Sequence, residues 1–299
     1  MGYPRIIAAL SKMSNEKLQQ EDAKPPDYQG LLLTVGQPRL TPYKDFFKCA
    51  SDRELAGAYF WGQAVAAAFQ PTLGMYEVVL RNAIHLQASR MSSKGASDSC
   101  AWYDPANPSA LSIRGKTRAK VDEVLLDSKG VQLAPQPAPD KVVASLSFGF
   151  WPNFLAGLTM REQTQLLTKI FHAHPHSKPK HWGRKDNVQQ LIGMLKDIQD
   201  LRNAVAHYEP IWKPYRLTGA ETHWSHSVRS LRKKHADIIE VMAWCCPQSA
   251  AAVESSYATR ILKSFCSTNA VLAFMADPLG AGKMQLFEQV AAAPLVAAA

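Results

Sequence analysis

What this chain of 299 residues lacks narrows it quickly. No β-alternation is sustained anywhere. Leu31-Leu32-Leu33-Thr34-Val35 is the one short strand candidate, which excludes sandwiches, barrels and wound α/β sheets and leaves an all-α chain. Cysteine is sparse. Cys49, Cys100, Cys245, Cys246 and Cys266 form no regular framework and no CxxC pair, so neither a disulfide scaffold nor a thiolate zinc site is expected. The basic-then-apolar order of a secretory signal is missing, since Ser11 to Lys24 is polar and charged. These features together predict a reduced, cytoplasmic protein. Gly280-Ala281-Gly282-Lys283 has the wrong spacing for a phosphate loop and follows no strand. Charge is absent from Leu55 to Tyr76, a stretch nearly long enough to span a bilayer. Gln63, Gln70, Pro71 and several glycines interrupt it, and Glu77 and Arg81 follow at once. We read it as a fully buried helix pair of a bundle, with no membrane partner.

The bulk of the chain is ordinary, at 46% apolar, and long enough to bury a substantial core. A net charge of +9 and a pI near 9.3 favour a polyanionic partner, nucleic acid before anionic lipid. Pro25-Pro26 and Gly30 mark residues 1–36 as a flexible N-terminal segment and linker. The main helical domain is expected over 37–245, and a C-terminal helix (about 250–275) with a mobile tail over 246–299.

Within the domain, Ser51-Asp52-Arg53-Glu54 caps a long run to about residue 91, which Pro71 should kink or break. Further helices are expected at 113–128, from Asp140 as a cap, at 161–171 and at 224–244. The longest apolar period closes the domain's central part. Val188, Leu191, Ile192, Leu195, Ile198, Leu201 and Val205 recur at helical spacing, with Asp186 or Asn187 as a cap. Pro210 ends this helix near His207.

Arg202 breaks that pattern. At about 100° per residue it falls between the directions of Leu195 and Ile198, inside the apolar sector. A guanidinium there needs a carboxylate, a carbonyl or a phosphate. The bland alternative is a structural helix end, with Arg202 paired to an acid and His207 bonded to a carbonyl.

Arg202, Asn203 and His207 fit the arginine–polar–spacer–histidine pattern of HEPN domains. The wider stretch Arg202-Asn203-Ala204-Val205-Ala206-His207-Tyr208-Glu209-Pro210-Ile211-Trp212 resembles their abortive-infection (Abi-like) branch. Three other segments carry the same likeness: Arg39-Leu40 with Tyr43; Glu77 followed by Leu80-Arg81-Asn82 and His85; and Leu146-Ser147-Phe148-Gly149-Phe150-Trp151. The resemblance spans roughly 38–215. It implies a multi-helix HEPN-type bundle with irregular loops, and a metal-independent endoribonuclease acting as a toxin or antiviral abortive-infection effector. Arg202, Asn203 and His207 would be catalytic. Glu77, Arg81, Asn82 and His85 would form a second motif, in which Glu77, Arg81 and His85, each four apart, share one face opposite Tyr76, Val79, Leu80 and Ala83. A homodimer is the expected assembly, with RNA as substrate and an antitoxin protein or small structured RNA as a further partner.

Such chemistry suits the residue types. Histidine moves protons near neutral pH, and arginine presents a fixed fork of donors to a phosphate. His207 in the last helical turn, near the carbonyl ends, is the more natural general acid. RNA contacts are expected from Lys180, Arg184 and Lys185, with Trp182 between them for base stacking. His172, His174, His176 and His181 have no cysteine or acidic partner at a familiar spacing. We read them as a polar loop, with no metal or other cofactor. The competing reading is a non-catalytic helical module that binds RNA or protein.

Overall fold

The computed structural model describes residues 27–213 and 223–279. Among them the chain is all-α: thirteen helices, no strand, and one isolated bridge between Leu126 and Gln132. In order they are α1 (Tyr28–Val35), α2 (Gln37–Phe47), α3 (Asp52–Ser92), α4 (Gly115–Leu125), α5 (Pro139–Ser145), α6 (Phe150–Gly157), α7 (Met160–Ile170), α8 (Pro179–Trp182), α9 (Lys185–Ala206), α10 (Trp224–Cys245), α11 (Pro247–Glu254), α12 (Tyr257–Phe265) and α13 (Thr268–Ala276).

Everything is arranged around α3. Its 41 residues make a rod about 60 Å long. Ser51 starts it, accepting the Glu54 backbone N–H, as the sequence predicts. Pro71 does not break it, and the expected helix pair is a single helix. Proline removes the hydrogen bond to the carbonyl four residues back, here Ala67. Both Ala67 and Pro71 lie on the exposed side, where water can take up that carbonyl. The charge-free stretch is clothed by protein. Ala56, Ala58, Trp61, Val65, Phe69, Leu73 and Tyr76 are all buried. No helix among the described residues is long and apolar enough to cross a membrane.

Three further expectations need correction. Leu31–Val35 is helical: Asp27 caps α1 by accepting the Gly30 N–H, and Leu32 is buried, so residues 28–35 are not linker. The single helix expected over 250–275 is three, each of them short. Ser256 and Ser267 each restart the chain as N-caps of α12 and α13. These two helices pack on the first half of α3. Trp61 Nε1 donates to the Phe265 carbonyl at 3.0 Å, and a Cβ on Gly57 would sit 2.1 Å from the Phe274 carbonyl oxygen. Only glycine permits that approach. Asp140, expected as a cap, leaves Ala138 to open α5 without a side-chain bond and turns to His85 instead. The low-information tail beyond residue 279, and residues 1–26, lie outside the described residues.

One continuous core runs from Leu32 to Val271. Trp61, Trp102, Trp151, Trp182 and Trp212 are fully enclosed in it. Buried area of this size is the main favourable term in holding such a bundle together.

Candidate functional site

Helix α9 carries the central motif. It begins at Lys185, and neither Asp186 nor Asn187 caps it; Asn187 instead donates to the His181 carbonyl at 2.9 Å. Val188, Leu191, Ile192, Leu195, Ile198, Leu201 and Val205 are buried, as their spacing predicts. The helix ends at Ala206. His207 is its C-cap, with its N–H bonded to the Asn203 carbonyl at 2.9 Å. Tyr208 then takes a left-handed conformation (φ 57°), which turns the chain off the helix.

The four segments that carry the Abi-like resemblance converge on this helix end. Arg39 Nη1 reaches the Tyr208 carbonyl at 3.4 Å. Trp212, at the end of the motif, is locked among Tyr43, Phe46 and Phe47 of α2, with ring centroids 4.8–4.9 Å apart. The aromatic turn comes against α9 at Gly149, where the Gln199 side chain of α9 lies over the glycine. Its neighbour Phe148 packs on Tyr76 of α3. Segments far apart in sequence thus meet around one surface.

On that surface Arg202 lies opposite Glu77, with Nε 3.9 Å from the carboxylate oxygen. The contact is loose, and 41% of the Arg202 side chain and 21% of the Glu77 side chain are exposed. The expected inward cation therefore emerges where α9 meets α3, at the edge of the core. One helical turn along α3, Arg81 is half-buried, and its Nε has no hydrogen-bond partner among the described residues. Asn203 is half-exposed, while Asn82 and His207 are exposed.

His85 does not join them. It is 7% exposed and fully engaged: Nε2 lies 3.0 Å from Asp140 and 3.1 Å from Ser99, and Nδ1 accepts the Trp102 indole N–H at 2.9 Å. Burial lowers its pKa, against the pull of Asp140. The face shared by Glu77, Arg81 and His85 is open only at its first two members. The loop 93–112 folds back over the third, a closure that no local periodicity signals.

The RNA-contact set divides in the same way. Lys180, Arg184 and Lys185 are exposed, but Trp182 is 1% exposed and packs on Phe171, His174 and His181, so it offers no face to a base. Its indole donates to Ser177 Oγ.

A cavity of about 590 Å³ lies between α9, α10 and the turn 209–213, lined by Asp200, Ala204, Glu209, Arg229, Lys233 and Lys234 among others. Lys234 holds this turn by donating to the Ile211 carbonyl at 2.9 Å, and burial lowers its pKa. The cavity is not the Arg202 side of the helix. At about 100° per residue, Arg202 points some 160° away from both Asp200 and Ala204. Sequence reading missed this cavity, and the basic spacing of α10 is its only trace in the sequence. No group of three or more ligating side chains among the described residues is placed to hold a metal ion. No family model, no curated protein and no solved structure matches the chain.

Proposed function

We propose that this protein is a metal-independent endoribonuclease of the Abi-like HEPN type, acting as a toxin or abortive-infection effector. One observation carries the reading. Arg202 is only loosely held by Glu77, with 41% of its side chain exposed, and an exposed His207 follows five residues on. A phosphodiester would give the open Arg202 guanidinium a further acceptor. In the reaction the ribose 2′-oxygen gives up its proton and bonds to phosphorus, and the bond from phosphorus to the 5′-oxygen breaks. That oxygen takes a proton from His207. The products are a 2′,3′-cyclic phosphate and a 5′-hydroxyl. Arg202 and Arg81 would stabilise the charge on the phosphorane, and Asn203 would orient it.

His85 is tied off, and His207 lies about 140° around an ideal helix from Arg202, so the two would converge through the turn after α9 or across two copies of the chain. The second proton carrier is then the His207 of another copy, or the substrate itself. A homodimer would use the uncharged exposed strip of α3 formed by Pro71, Gly74, Met75 and Val78, which borders Glu77. Met75→Glu with Val78→Glu should shift the sedimentation of the protein from dimer to monomer.

The test is purified protein with RNA and its 2′-deoxy counterpart, in EDTA. RNA alone should be cut, and Arg202→Ala and His207→Ala should each lose at least about 10²-fold in rate. Cleavage of both substrates, or dependence on a metal, would sink the mechanism. The same separation of His207 from Arg202 motivates a second reading, a non-catalytic module that holds RNA or an antitoxin. Wild-type protein that binds RNA without cutting it, with binding unchanged in His207→Ala, would favour that reading.

A further inference from the structure

The histidine-rich loop read from the sequence as a polar surface folds into a pocket. Between residues 174–182, α9 and α10 lies a cavity of about 170 Å³, whose lining includes His174, His176, His181, Asn187, Gln190 and Trp244. The three imidazole centroids are 5.0, 5.7 and 5.9 Å apart. No carboxylate is among the lining residues. The surrounding sequence is equally one-sided. From Gln163 to Lys185 there is no Asp or Glu, while Lys169, Lys178, Lys180, Arg184 and Lys185 fall in that window. Lys178, Lys180, Arg184 and Lys185 are exposed.

Hydrogen bonds fix which nitrogen of each neutral ring carries the proton. His174 Nδ1 accepts the His176 backbone N–H at 3.1 Å, so a neutral His174 carries its proton on Nε2. His181 Nδ1 lies 3.0 Å from the Asn187 amide nitrogen, which also donates to the His181 carbonyl. That nitrogen is a donor in both contacts, so His181 too is protonated on Nε2. Neither Nε2 has a hydrogen-bond partner among the described residues. Metals need lone pairs at the outward nitrogens, and these carry hydrogens. Anions need hydrogens there, and find them.

We propose that this pocket binds a phosphate monoester, held by the Nε2–H groups of His174 and His181 and by His176, with Arg184 nearby. Trp244 and the amides of Asn187 and Gln190 form the remaining wall. The electrostatics agree. Desolvation first, then mutual repulsion of the rings, lowers the pKa of His174, and desolvation, His176 and Arg184 lower that of His181. The charged groups that face the rings from their own segment are all basic. Those from α9 and α10 that line the pocket are neutral, and Asp186 lies exposed outside the lining. A bound dianion would turn repulsion into attraction, so binding strengthens as pH falls. This site is independent of the chemistry proposed for Arg202 and His207.

The test is an NMR titration of the histidine rings in the full chain, in phosphate-free buffer. The probes are inorganic phosphate, a 5′-phosphorylated deoxyoligonucleotide and the same strand with a 5′-hydroxyl; a deoxy strand is not cut by the proposed nuclease. Saturating phosphate should raise the His174 and His181 pKa values by about one unit. The 5′-phosphorylated strand should do the same and the 5′-hydroxyl strand should not. If inorganic phosphate acts and neither strand does, the ligand is free phosphate and the site stands. His181→Gln should abolish the shift at His174. The exposed Arg184→Gln should weaken binding several-fold while the chain stays folded. Unmoved titrations with every probe, shifts of equal size produced by both strands, or Zn²⁺ bound by the three rings would each overturn the proposal.

Discussion

Two stretches of this chain read almost alike, Leu80-Arg81-Asn82-Ala83-Ile84-His85 in α3 and Leu201-Arg202-Asn203-Ala204-Val205-Ala206-His207 at the end of α9. Their histidines have opposite fates. His85 sits inside a long helix, beneath the loop that carries Ser99 and Trp102, and each ring nitrogen is bonded. His207 sits where a helix stops, and is exposed. The one extra residue matters less than the surroundings. A mid-helix histidine remains under whatever packs on that face, whereas a C-cap histidine projects past the last turn. Arginine is similar in both, half-buried near Glu77, so the comparison isolates the imidazole.

The comparison can be broken most directly at His85. We expect His85→Ala to destabilise the fold by about 3 kcal/mol in urea titration, because it leaves the buried Trp102 N–H without an acceptor and opens a cavity. An effect below about 1 kcal/mol would mean that His85 is not structural. Acidification probes the same group more gently. Burial holds the His85 pKa below its ordinary 6.5, so the unfolded chain takes up the proton more readily. Its contribution is complete above about pH 6.5 and is lost as pH falls toward the lowered value. His174, His181 and His235 are shifted in the same direction. The melting temperature should therefore fall between pH 7 and pH 5, and less steeply in His85→Gln.

Glu77→Gln tests the link between the stretches. A contact at 3.9 Å between partly exposed groups contributes at most about 1 kcal/mol, so stability should change little. Phosphate-backbone affinity should rise, read as tighter RNA binding at low salt. His207→Ala closes the series, with an expected stability change within about 0.5 kcal/mol. A loss as large as that for His85→Ala would erase the contrast and make His207 a structural cap.

Much of the fold follows from local rules. The α9 periodicity, its end before Pro210, the Ser51 cap and the absence of strands all depend on near neighbours in sequence, and a sequence displays these. Leu31–Val35, a strand candidate in a chain read as all-α, is helical: an apolar run of five has no period to read, and Asp27 caps its helix. The surface at the end of α9 was half legible. Arg202 was visible as a cation in an apolar sector, but its emergence beside Glu77 depends on how α3 crosses α9.

The sequence by itself determined the helical class, the basic charge, and the chemistry on offer at Arg202, Asn203 and His207, because these are set by side-chain type and by spacing along one helix. Only tertiary structure decided which histidines meet solvent and which tryptophan is sealed. It also decided that four distant segments share one surface. Those outcomes depend on contacts between different elements and loops, such as Trp102 on His85 and Glu77 against Arg202, and the periodicity of one helix does not encode such contacts.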